Sequence, residues 1–142
     1  MACAKRKPNT KKLQGKRILV VEDQPLVSEI LIDLLGRYGH PSHANSGKDA
    51  LEQIKHKAPD VILLDLSLPD MNGFEVARLV RRNEKTSRVP ILAMSGIPMD
   101  KKKCLQMGCT DFMHKPFSVS TLLVRLSMLI SGQSRSLTRD NN

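Results

Sequence analysis

The sequence of 142 residues predicts an α/β fold, a flavodoxin-like, doubly wound five-stranded parallel sheet with five helices. Two observations predict it: five short strand-like runs alternate with five amphipathic segments, and most of the runs are apolar on both faces. Strict alternation favours right-handed crossovers between parallel strands, and the number of strands favours the order 2-1-3-4-5.

The five predicted strands differ in polarity. Residues 17–21, 60–66 and 89–94 are rich in aliphatic side chains, which is typical of buried strands in a parallel sheet. Residues 41–45 are short and polar, so we expect this second strand at an edge of the sheet. Residues 110–114 complete the sheet as its fifth strand.

Each predicted strand is followed by a segment whose apolar residues recur at helical spacing. Pro25 suits the first turn of the first helix, and Ser46 and Ser118 are favoured caps for the second and the last. The helices are expected near residues 25–38, 46–58, 74–82, 99–107 and 118–130.

Positive charge is concentrated at the amino terminus. The formal net charge is +9, and residues 1–17 contain seven basic side chains and no acid. Residues 18–130 contain 14 basic and 13 acidic side chains, so this part is nearly neutral. We therefore predict a basic, disordered tail at 1–15, one folded domain at 16–131 and a flexible C-terminal tail at 132–142.

Composition excludes several classes of protein. No apolar run approaches the roughly 20 residues that span a bilayer, and no apolar stretch follows the basic N-terminus as in a secretory signal. Cys3, Cys104 and Cys109 lack metal-site spacing, which favours a reducing, cytoplasmic setting. Glycine-rich phosphate-binding motifs for nucleotides do not occur.

Polar residues stand at the carboxyl ends of four predicted strands. They are Glu22 and Asp23 after the first strand, Asp65 after the third, Ser95 after the fourth and Lys115 after the fifth. Ligands bind at the carboxyl ends of strands in open α/β sheets, and the first and third strands are neighbours in the predicted order. We therefore expect these five residues to share one crevice.

The predicted crevice has the groups needed to accept a phosphoryl group. Three converging carboxylates repel one another unless a cation joins them, and Mg²⁺ or Mn²⁺ suits such oxygen ligands. Lys115 supplies a point charge for a phosphoryl oxygen, and Asp65 is then equipped to form an aspartyl phosphate. Taken singly, each residue has a simpler interpretation as a helix cap, a turn residue or a surface side chain.

Four segments together resemble the receiver domain of a two-component response regulator of the chemotaxis-regulator-like, stand-alone kind. They are 18–23, 63–73 (LLDLSLPDMNG), 90–96 (PILAMSG) and 108–117 (GCTDFMHKPF), and the resemblance runs from about Lys16 to Ile130. Gly96, Cys109 with Thr110, and Phe112 depart from the commonest family pattern. These departures bear on the strength of switching rather than on the chemistry.

The resemblance implies a role for each crevice residue. The implied roles are the phosphoacceptor Asp65, the metal ligands Glu22, Asp23, Asp65 and the backbone carbonyl of Ser67, the switch residues Ser95 and Phe112, and the phosphate-contacting Lys115, whose bond to Pro116 is expected to be cis. It also implies a histidine kinase or histidine phosphotransfer protein as phosphodonor. The output is expected to be a downstream protein target or a homodimer, through the surface of the fourth helix, fifth strand and fifth helix.

Other functions would require residues that differ from those of this chain. A phosphohydrolase of the haloacid dehalogenase type requires a second Asp two residues after the first, where this chain has Ser67, so we expect no enzyme acting on external substrates. A binding module that is never phosphorylated usually lacks the acid pair, the acceptor or the lysine. Nucleic-acid binding through the basic tail stays open, although none is expected for the folded domain. About twelve residues follow the last helix, and a stand-alone receiver and a piece of a larger protein both stay open.

Overall fold

A computed structural model describes residues 7–132 and confirms the predicted architecture. One parallel sheet has the strand order β2-β1-β3-β4-β5. The strands are β1 Arg17–Val21, β2 His40–Ala44, β3 Val61–Asp65, β4 Ile91–Ser95 and β5 Asp111–His114. The helices are α1 Pro25–Leu35, α2 Gly47–His56, α3 Gly73–Arg82, α4 Lys101–Gln106 and α5 Val119–Ser131.

The sheet separates two apolar clusters because successive strand side chains point to opposite faces. Leu19 and Val21 of β1 pack in a cluster with residues of α2, α3 and α4. Ile18 and Val20 of the same strand pack in the other cluster, with residues of α1 and α5. Burial on both faces fixes the register of the central strands, and so fixes where each strand ends.

Two helices begin at the predicted caps, and the first helix is shorter than predicted. Ser46 Oγ accepts the Asp49 N–H at 3.1 Å, and Ser118 Oγ accepts the Thr121 N–H at 3.0 Å. Helix α1 ends at Leu35, earlier than the expected Tyr38, because the N–H groups of Arg37 and Tyr38 donate to carbonyls three residues back, in a tighter turn. Among residues 7–132, none of the helices combines the length and the apolar character required to cross a membrane.

The predicted disorder of residues 1–15 is wrong for its final part. Residues Thr10–Leu13 form a 3-10 helix, and Leu13 is completely buried in the cluster that contains α1 and α5. A Cβ atom at Gly39 would lie 2.8 Å from the Leu13 carbonyl oxygen, so glycine is required for this close approach. The folded domain therefore begins before the predicted residue 16, while residues 1–6 and the predicted tail beyond Gly132 lie outside the described range.

Candidate metal centre

The strand register brings the three predicted carboxylates together. Val21 at the end of β1 is the partner of Leu64 in β3, so Glu22 and Asp23 emerge beside Asp65. One carboxylate oxygen from each of these three residues lies within 4.8 Å of the other two. Glu22 and Asp65 are buried, whereas Asp23 is only partly buried and leaves one side of the cluster accessible.

Lys115 also contacts this cluster of carboxylates. Its Nζ donates to Glu22 Oε1 at 2.7 Å and to Asp65 Oδ2 at 3.1 Å. The Lys115 backbone N–H donates to the Ser95 carbonyl at 2.7 Å, which fixes the lysine against the end of β4. The Lys115–Pro116 peptide bond is cis, as the resemblance implies.

The electrostatics of the cluster favour an additional cation. Burial raises the pKa of Glu22 above 4.5, the hydrogen bond to Asp65 raises it further, and the ammonium of Lys115 only partly offsets these effects. Burial alone would lower the pKa of Lys115, but its bonds to Glu22 and Asp65 outweigh burial and raise it. One ammonium therefore does not fully compensate the three acids, of which two are buried.

The donor set fits a hard divalent cation. Carboxylate oxygens are the ligands preferred by Mg²⁺ and Mn²⁺, which retain several water molecules when two or three protein groups bind them. Glu22, Asp23 and Asp65 offer such oxygens at mutual distances that one ion can bridge. Ser67, expected to contribute its carbonyl, lies in the loop directly after β3, and its N–H donates to Asp65 Oδ1 at 2.8 Å.

The two predicted switch residues lie on the neighbouring strands β4 and β5. Ser95 is buried at the end of β4, where its Oγ accepts the Ile97 N–H at 3.0 Å and donates to the Ile97 carbonyl at 3.2 Å. Phe112 lies on the neighbouring strand β5, is half-buried, and packs against the cluster that contains α2, α3 and α4. The Ser95 hydroxyl is thus held by the loop that leads to α4.

The structure also shows an ionic contact that the sequence did not predict. Asp111 is buried beside Phe112, and its carboxylate accepts hydrogen bonds from Arg125 Nη1 at 2.7 and 3.0 Å. Lys101 Nζ lies 3.3 Å from the same carboxylate. The three residues belong to β5, α5 and α4, and their separation in the sequence offers no motif that would have revealed the contact.

Comparison with known proteins identifies the family. The model for the response regulator receiver domain matches residues 18–127, and the chain therefore belongs to that family. The polar-differentiation response regulator DivK of Brucella ovis is 32% identical over 107 residues, covering 73% of this chain and 87% of DivK. The DNA-binding dual master transcriptional regulator RpaA of Synechocystis is 32% identical over 127 residues, 84% of this chain, but the match spans only 51% of RpaA.

Solved structures show the same fold. The chemotaxis protein CheY4 of Vibrio cholerae has a TM-score of 0.76 and 28% identity, with 82% of this chain and 99% of that chain covered. The receiver domain of the sensor histidine kinase PA1611 of Pseudomonas aeruginosa has a TM-score of 0.73 and 30% identity, covering 83% and 99% respectively. That PA1611 structure contains a magnesium ion coordinated in the active site cleft.

Proposed function

We propose that Asp65 accepts a phosphoryl group, with Mg²⁺ or Mn²⁺ bound at the cluster, and that this modification changes the surface of α4, β5 and α5. The observation that carries the proposal is the Asp65 carboxylate, which is buried and hydrogen-bonded by Lys115 while it shares a possible metal site with Glu22 and Asp23. A histidine kinase or a histidine phosphotransfer protein would supply the phosphoryl group.

The groups that the transfer requires already surround Asp65. An oxygen of Asp65 attacks phosphorus and forms a new P–O bond. The bond between phosphorus and the donor imidazole nitrogen breaks, and the electron pair of that bond remains on the nitrogen. Lys115 Nζ already contacts Asp65 Oδ2 and is placed to bind an oxygen of the arriving group. A divalent cation held by Glu22, Asp23 and Asp65, with the Ser67 carbonyl, would neutralise the charge on the phosphoryl oxygens.

We further propose that the chain catalyses only its own phosphorylation and dephosphorylation. A phosphohydrolase that acts on external substrates through an aspartyl phosphate needs a general acid beside its nucleophile. The position two residues after Asp65 is Ser67, whose backbone N–H is bonded to Asp65. The side chain at that position cannot act as a carboxylic acid, which supports a signalling role.

The proposed switch connects Ser95 with Phe112. A phosphoryl oxygen on Asp65 would compete with the Ile97 carbonyl for the Ser95 hydroxyl and draw the loop before α4 inward. The movement would make room for Phe112, so phosphorylation biases an existing equilibrium between two arrangements. The resulting surface would bind a downstream protein or a second copy of the chain.

The setting of this reaction is proposed to be the cytoplasm. A phosphohistidine donor and a divalent cation are both available there, and the two described cysteines, Cys104 and Cys109, are unpaired. The chain spans about half the length of RpaA.

The test is phosphorylation by a small acyl phosphate with Mg²⁺, measured by intact mass. We expect a gain of one phosphoryl group that disappears when Mg²⁺ is removed or when Asp65→Asn is used. Equal labelling of the Asp65→Asn variant would contradict the assignment. A metal titration followed by NMR should show weaker binding by Asp23→Asn, and phosphorylation should shift resonances near Phe112 and Lys101 as well as those in the crevice.

A further inference from the structure

The loop that follows the candidate phosphoacceptor is hydrogen-bonded to helix α2 through one carboxylate, that of Asp70. Asp70 Oδ1 accepts the Gly47 N–H and Asp70 Oδ2 accepts the Lys48 N–H, both at 2.9 Å. These two amides belong to the first turn of α2, where backbone donors have no partner within the helix. Asp70 thus caps a helix that is more than twenty residues away in the sequence.

A second contact fastens the same loop at the same place. A Cβ atom at Gly47 would lie only 2.5 Å from Met71 Cγ, so Met71 packs directly on the glycine backbone. Asp70 and Met71 are adjacent, and together they hold the middle of the loop against α2 through one polar and one apolar contact. The loop is therefore positioned by α2 as well as by the strand that precedes it.

The loop that α2 holds in place is in turn hydrogen-bonded to Asp65. Ser67 and Asn72 form an isolated antiparallel bridge across the loop, and Asn72 Oδ1 accepts the Phe74 N–H at 2.8 Å at the start of α3. The Ser67 N–H in turn donates to Asp65 Oδ1 at 2.8 Å. The connection thus runs from the N-terminus of α2 to Asp70, along the chain to Asn72, and across the bridge to Ser67, which is bonded to the candidate phosphoacceptor.

We infer that Asp70 is a positioning residue for the proposed site: it holds the loop so that the backbone of Ser67 stays against Asp65. The inference rests on the proposed function only where it concerns metal and phosphoryl chemistry. Asp70 itself would contact neither the metal ion nor the phosphoryl group, because both of its carboxylate oxygens accept hydrogen bonds from α2 amides. Its loss should let Ser67 leave Asp65, lowering both metal affinity and the rate of phosphorylation.

The chain offers a matched control in Ser46. Ser46 caps the same first turn through the Asp49 N–H at 3.1 Å, and none of its hydrogen bonds in the described structure reaches the loop. The substitutions Asp70→Ala and Ser46→Ala therefore each remove a cap from α2, and only the first releases the loop. Asp70→Asn keeps one oxygen acceptor and should show an intermediate effect.

The experiment compares these three variants with the wild-type chain. Measurements are the amide hydrogen exchange of Ser67 without metal, the Mg²⁺ affinity by NMR titration, the rate of phosphorylation by a small acyl phosphate, and the melting temperature. We expect both α2 cap variants to melt lower. Of these two, only Asp70→Ala should show faster exchange of the Ser67 amide and bind Mg²⁺ about tenfold more weakly, the size of effect seen when groups that orient metal ligands are removed. Asp70→Asn should lie between Asp70→Ala and the wild-type chain in both measurements.

The outcomes separate the positioning role of Asp70 from the proposed function of Asp65. Equal Ser67 exchange and equal Mg²⁺ affinity in Asp70→Ala and Ser46→Ala would overturn the positioning role. If the wild-type chain neither binds Mg²⁺ nor gains a phosphoryl group, the proposed function fails, and Ser67 exchange still decides whether Asp70 positions the loop. If Asp70→Ala does not fold, Asp70→Asn supports the role through faster Ser67 exchange and opposes it through unchanged exchange.

Discussion

Replacing Lys115 with methionine removes the ammonium from the candidate site while keeping an unbranched side chain. The ammonium lies 2.7 Å from Glu22 Oε1 and 3.1 Å from Asp65 Oδ2, and both carboxylates are buried. At an effective dielectric constant of about 20, each attraction is about 5 to 6 kcal/mol before desolvation is subtracted. Removing one partner of a buried pair costs about 3 to 5 kcal/mol, because the remaining charge is left uncompensated.

Lys115→Met should therefore lower the free energy of unfolding, measured without metal at pH 7, by about 3 kcal/mol. This is the lower end of the range for buried pairs, because the lysine side chain is partly exposed. For a domain of this size that loss corresponds to a melting temperature lower by about 10 °C. The deficit should shrink as the pH falls, because burial raises the pKa of Glu22 and protonation of that carboxylate removes an uncompensated charge. Mg²⁺ should bind more tightly to the variant, since it replaces the missing cation, while phosphorylation slows.

Thermal unfolding between pH 5 and 8, with and without Mg²⁺, measures these effects, and Lys101→Met is the control. Lys101 also contacts a buried carboxylate, that of Asp111, but its side chain is half exposed and Arg125 remains bound to the same group. The control should lose less than about 1 kcal/mol. Equal losses in the two variants, or a loss for Lys115→Met that is independent of pH, would refute the reasoning.

Three further predictions follow from the buried groups. Leu13→Ala should lower the free energy of unfolding, measured in urea, by about 2 to 5 kcal/mol because Leu13 is buried. Lys12 is exposed, so Lys12→Ala should change it by less than about 0.5 kcal/mol. Equal effects would show that the 3-10 helix does not pack against the domain. Burial raises the pKa of Glu22 above 4.5, so its contribution to stability without metal is full below pH 4.5 and is lost as the pH rises through the raised value. The increase in melting temperature caused by Mg²⁺ should grow over the same interval, and an increase independent of pH would contradict this. Burial raises the pKa of Cys109 to about 12, so iodoacetamide at pH 8 should modify it only in unfolded protein; rapid labelling of the native chain would argue against its burial.

The sequence predicts the candidate metal centre because the meeting of its three carboxylates depends on strand order. Once β1 and β3 are neighbours and both are buried, Glu22, Asp23 and Asp65 must emerge at the same edge. No side-chain detail is needed for this step. Lys115 follows from the same argument, since the polar residue directly after β5 reaches the cluster that the other strand ends form.

Contacts that depend on particular side-chain positions could not be predicted in this way. Leu13 is one leucine in a basic, aperiodic segment, and it is buried because the fold places it against the apolar cluster that contains α1 and α5. Arg81 has the spacing of an outward-facing residue of α3, yet its guanidinium donates to the Val89 carbonyl at 2.7 Å and the Gly108 carbonyl at 2.9 Å. Such bonds join loops whose relative positions are set by the whole fold.

The ionic contact around Asp111 indicates which part of the proposed output surface moves. Arg125 holds Asp111 by two hydrogen bonds from α5, whereas Lys101 reaches the same carboxylate from α4 with a half-exposed side chain at 3.3 Å. Lys101 is more exposed than Arg125 and lies farther from the carboxylate, and both differences make the link from α4 the weaker of the two. A loop drawn inward at Ser95 would therefore displace α4 first, while β5 and α5 remain joined and provide the fixed half of the surface.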